Sequence, residues 1–84
     1  MLIYPKKGLL IKNVNRIASE RGWKVIWDAP QDYQVTSNTV IGGPTFITVM
    51  DRLLSHYPLM ATYNKSQKTM TVMEKSAFRY DKGK

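Results

Sequence analysis

Apolar residues recur along the chain with two different periods. Phe46, Val49, Met50, Leu53, Leu54 and Tyr57 fall three and four residues apart, the repeat of one face of an α-helix. Pro44 or Thr45 starts that helix, with Thr45 suited to cap it, and Pro58 stops it because proline cannot continue the hydrogen-bond ladder. At roughly 1.5–3 kcal/mol per buried side chain, this face contributes on the order of 10 kcal/mol before chain entropy is subtracted. The helix is therefore expected against the core. A second helix is predicted from Leu9 to Arg21, where Leu10, Val14, Ile17 and Ala18 share a face and Gly22 stands at the C-terminal turn.

Elsewhere the period falls to two. "LIYP", Leu2 to Pro5, reads as a short edge strand followed by a turn at "KKG". In "WKVIWD", Trp23, Val25 and Trp27 point to one side and Lys24, Ile26 and Asp28 to the other. Trp23 is expected largely buried under the helical layer, with Trp27 at the rim. "APQD" is a turn, and Tyr33 to Ile41 fits one bent strand or two short ones. Alternating runs around Ala61 to Tyr63 and Thr69 to Met73 flank the polar "NKSQK", which predicts an antiparallel hairpin. The order β-α-β-β-α-β-β describes an α+β domain with two helices packed on small mixed β-sheets. Residues 1–75 are expected to form this single domain, with 76–84 a flexible C-terminal tail; docking back through Phe78 and Tyr80 is the alternative.

Composition narrows the chemistry. With 84 residues and no cysteine, the chain has neither a disulfide framework nor a thiolate metal site. No apolar run approaches the roughly 20 residues of a membrane span, and "MLIYPKKGLL" is too short and too soon charged for a signal peptide. Direct insertion of this fragment into a membrane is not expected. A formal charge of +7 favours acidic partners, nucleic acid or anionic lipid, but the basic residues are spread along the chain and form no compact block.

Catalytic constellations are lacking. His56 is the sole histidine and lies off the apolar stripe of its helix. Asp28 and Asp32 flank a turn, where carboxylates ordinarily serve the backbone. "GGPT" lacks the Lys-Ser/Thr of a phosphate-binding loop. A non-enzyme without cofactor or metal is expected. Interleaved aromatic and basic residues in "YPKKG" and "RGWKVIW" keep open a second reading, a basic nucleic-acid-binding domain that stacks bases on aromatics and holds phosphates with Lys and Arg.

The succession "GLLIKNVNRIASERGWKVIWD" then "VTSNTVIGGPTFITVMDRLLSHYPLMATYNKSQKTMTVM" resembles the C-terminal domain of toxin-coregulated pilus biosynthesis protein Q and the PilL-type proteins of type IVB pilus systems. More distantly it is similar to the short N-terminal domain of secretins and TonB-dependent transducers. The resemblance rests on Gly8 before the first helix, Gly22-Trp23 at its close, Val25, Trp27 and Asp28, the Gly42-Gly43 break, Leu53-Leu54, and the Tyr57-Pro58 stop. It implies a periplasmic, outer-membrane-associated module of a larger protein in a pilus, secretion or conjugation apparatus. Such a module has no catalytic residues and docks on a secretin or a sister subunit. Strand addition at a sheet edge is one means of docking. The expected edges are Leu2, Ile3 and Tyr4, and the last strand with Thr69, Thr71 and Met73 on its outward face, Trp27 being a rim aromatic beside them.

Overall fold

A computed structural model of the chain describes residues 1–76. Apart from Ser76, the expected tail with Phe78 and Tyr80 lies outside the described residues. The elements run β1 (Leu2–Ile3), β2 (Gly8–Leu9), α1 (Leu10–Ser19), β3 (Lys24–Asp28), β4 (Gln34–Val35), β5 (Ile41–Gly42), α2 (Phe46–Leu54), β6 (Leu59–Asn64) and β7 (Thr69–Glu74).

Both helices form where the period of 3.6 placed them, and each is capped differently. In α2 the Thr45 hydroxyl accepts the Thr48 amide at 3.2 Å, closing one of the four amides that a helix start leaves open. Helix α1 follows Leu9, which has no side chain able to cap. Its first amides are met from a distant loop instead: Leu10 donates to the Tyr33 carbonyl at 2.8 Å and Ile11 to the Asp32 carboxylate at 3.0 Å. Gly22, at φ +78°, ends α1 by turning the chain through the left-handed region, and the Trp23 amide reaches back to the Ala18 carbonyl at 2.9 Å.

Strands β3, β7 and β6 form a three-stranded sheet in that order, β7 parallel to β3 and antiparallel to β6. Strand β7 is therefore the central strand, and the expected edge at Thr69, Thr71 and Met73 is corrected: both of its sides are paired. Its burial explains the place it takes. Met70 and Val72 are fully buried, while Val25, Trp27, Ala61 and Tyr63 of the flanking strands are only half-buried, so the strand with the deepest inward face holds the middle. Both helices cover that inward face, with Leu10, Val14 and Ile17 from α1 and Val49, Met50, Leu53 and Leu54 from α2 in one core.

Two small antiparallel ribbons complete the domain, β1 with β5 and β2 with β4. The "KKG" segment, read as a turn, thus leads into an additional two-residue strand, and Tyr33 to Ile41 supplies two short strands that belong to different ribbons. Trp23 packs against the core from the inward side, as expected. It is half-buried, stacked on Phe46 at 5.1 Å and edge-on to Tyr63 at 6.0 Å. Standing just ahead of β3, it closes the end of the core between α2 and β6.

Candidate functional site

With both helices on one face, the other face of the three-stranded sheet is left uncovered by any described element. The pairing registers arrange it as three cross-strand rows: Lys24, Thr69 and Asn64; Ile26, Thr71 and Thr62; Asp28, Met73 and Met60. Thr69, Thr71 and Met73 thus occupy an outward face, as the period of two required, but in mid-sheet. Ile26 is 52% exposed, and Met73 and Met60 of the next row are half-buried. Threonine with apolar Ile and Met gives a surface flanked by one cation and one anion, both on β3. Methionine adapts its shape to a partner at low cost.

Strand β3 is also an edge. The Lys24 amide donates to the Lys68 carbonyl at 2.8 Å, so Lys24, Ile26 and Asp28 direct their peptide groups at β7. Alternation then turns those of Val25 and Trp27 away from it, and no described strand pairs there. Trp27 stands at this rim on the inward side, its indole Nε1 donating to the Gln31 carbonyl at 3.3 Å. The edge at β1 is different. Ile3 is buried, and although Leu2 and Tyr4 are more than half exposed, their carbonyls already accept Arg21 at 3.3 Å and Arg16 at 2.9 Å. A strand added beside Leu2 and Tyr4 has to displace two arginines.

The remaining polar side chains mostly serve the fold. Asn13, only 5% exposed, treats the Lys6 peptide unit as a strand would: its Oδ1 accepts the Lys6 amide at 2.7 Å and its Nδ2 donates to the Lys6 carbonyl at 2.8 Å. The signal for Asn13 in the sequence is a polar residue on the apolar stripe between Leu10 and Val14. Asp32 is consumed as the distant cap of α1, accepting the Tyr33 amide at 2.7 Å as well. The Tyr63 phenol donates to the Asp51 carboxylate at 2.8 Å, and burial, reinforced by that carboxylate, pushes its pKa far above the usual phenol value. Burial also raises Tyr57. His56 is exposed, and among the described residues no three His, Asp or Glu side chains are placed to share a metal ion. Both indoles lie on the inward side of β3, packed against the core, where they offer no open platform for bases.

No helix among the described residues is long and apolar enough to cross a membrane. Comparison with curated proteins gives no match, and comparison with solved structures gives none either. The family model of toxin co-regulated pilus biosynthesis protein Q, in contrast, matches residues 6–75, from the loop ahead of β2 to just beyond β7. Since this match takes in both helices and the whole three-stranded sheet, the chain belongs to the toxin co-regulated pilus biosynthesis protein Q family.

Proposed function

We propose that the domain is a non-catalytic periplasmic interaction module of a type IVB pilus or related secretion or conjugation apparatus, docking on a secretin or a sister subunit at the outer membrane. Membership of a pilus-biosynthesis family supports the setting. The observation that carries the docking mode is the uncovered face of the three-stranded sheet, continuous with the free edge of β3. A partner strand laid beside Val25 and Trp27 gains backbone hydrogen bonds and extends the sheet, while Ile26, Met60 and Met73 supply apolar contact on the outward face.

The test is titration of the domain with the N-terminal domains of the cognate secretin, followed by calorimetry. The wild type binds. Ile26→Lys combined with Thr62→Lys leaves stability within about 0.5 kcal/mol, because both side chains are exposed, and weakens binding at least about tenfold by removing an apolar anchor. No binding by the wild type at high concentration sinks the docking reading. Unchanged binding by the double variant moves the site to another surface.

A further inference from the structure

Cations that are scattered along the sequence meet in the fold. Lys6, Lys7, Lys12 and Arg16 line an open hollow of about 220 Å³, with Leu9 beside them. No carboxylate lines it. Lys12 and Arg16 stand one turn apart on α1, and the loop ahead of β2 brings Lys6 and Lys7 alongside. Across Lys6 and Arg16 lies a second hollow of about 270 Å³ in which Arg21 is the further cation and Glu20 the one carboxylate, held to Arg21 at 3.3 Å.

The backbone of this cluster is fixed by side chains. Asn13 holds both polar groups of the Lys6 peptide unit, Asn38 Oδ1 accepts the Lys7 amide at 2.9 Å, and Arg16 donates to the Tyr4 carbonyl and to Asn13 Oδ1, each at 2.9 Å. The ammonium groups of Lys6, Lys7 and Lys12 make no hydrogen bond or ion pair with any described residue. Gathering like charges around a hollow without a counter-charge costs stability through self-repulsion. An anion that enters it relieves that repulsion.

We infer that this hollow binds the phosphate of an anionic phospholipid and rests the domain against a membrane surface. Leu9 decides for a lipid surface over an acidic peptide. It is 40% exposed at the rim, on the same wall as the lysines. An apolar side chain ringed by lysines matches the headgroup boundary, where the side chain enters the acyl region and the ammonium groups stay with the phosphates. The contact is peripheral, and it is independent of the docking face on the three-stranded sheet.

The experiment is co-sedimentation of the chain with phosphatidylcholine vesicles with and without phosphatidylglycerol. The chain pellets with the anionic vesicles, stays in solution with the neutral ones, and is released by added salt. Replacing Lys6, Lys7 and Lys12 together by glutamine lowers partition about a hundredfold, at roughly fivefold per lysine near the surface. Replacing Lys65, Lys68 and Lys75 instead removes the same charge from the other end of the chain and lowers it by no more than about fivefold. Leu9→Ser lowers it about tenfold. Arg16 is left in place because it also holds the Tyr4 carbonyl, and unchanged thermal melting of each variant shows that the fold is retained. Equal binding to neutral vesicles, or equal loss in the two triple variants, overturns the proposal. So does saturable binding of inorganic phosphate or of polyglutamate, followed by the amide signals of Lys6, Lys7 and Lys12, without binding to anionic vesicles.

Discussion

The three-stranded sheet and the two ribbons beside it are both β-structure, but different forces hold them. In the sheet, five- and six-residue strands share a continuous backbone ladder over a closed apolar layer. Each ribbon has only two residues a side, too few to persist without support. Side chains from elsewhere supply that support: Asn13 on the Lys6 peptide, Asp32 on the start of α1, Arg21 on the Leu2 carbonyl of β1 and Arg16 on the Tyr4 carbonyl just beyond it. The sheet is held by repetition and the ribbons by single contacts, so one substitution can loosen a ribbon while leaving the sheet intact.

Four experiments can break that contrast or sharpen it. Leu54→Ala empties a site in the layer beneath both regions and is expected to cost about 2–5 kcal/mol. Urea unfolding followed by tryptophan fluorescence and by circular dichroism should then shift together; separate midpoints would mean that the regions unfold independently. Asn13→Ala removes a buried side chain and leaves the part-buried Lys6 peptide unit without its partners, at an expected cost of about 1–3 kcal/mol. Amide exchange should rise at Lys6 while Met70 and Val72 stay protected, and equal loosening of β7 would dissolve the distinction. Asp32→Ala removes the distant cap at a cost of about 1 kcal/mol, read as a lower urea midpoint with an unchanged slope.

The smallest effect is on the sheet side and depends on pH. The folded-state pKa of Tyr63 is raised, so the stability it contributes is fully present below about pH 10, the unfolded value, and is lost as pH rises through the folded one. Alkaline urea titration should show the wild type losing stability that Tyr63→Phe does not lose. A parallel decline of the two proteins would show that the Tyr63 phenol is not buried against Asp51 as described.

The same contrast governs what could be read in the sequence. Periodicity found α2, α1, β3 and the closing hairpin, because each is a run of residues answering to one apolar layer. It also placed Thr69, Thr71 and Met73 outward and Trp23, Val25 and Trp27 inward. Which strand is central was not legible, since a strand paired on one side and a strand paired on both show the same alternation. Strands β1, β4 and β5 were legible at Leu2–Pro5 and Tyr33–Ile41, but β2 and the pairing of the ribbons were missed for a related reason. Their partners are single side chains such as Asp32, 21 positions from Ile11, and Asn38, 31 positions from Lys7, and no local period records such a bond. The basic residues looked scattered because the loop carrying Lys6 and Lys7 meets α1 only in three dimensions.

The place of β7 bears on the order in which the molecule is made. Lys24 to Asp28 find their ladder partners at residues 69–73, with more than half the chain between them. When the chain emerges from its N-terminus, β3 waits as a lone strand through the synthesis of both ribbons' second halves, α2 and β6. The middle of the sheet is the last described strand to arrive, and closing so long a loop makes parallel pairing slow. Until then Ile26 and Trp27 belong to an unpaired strand on both sides, which is when a holding chaperone has most to cover.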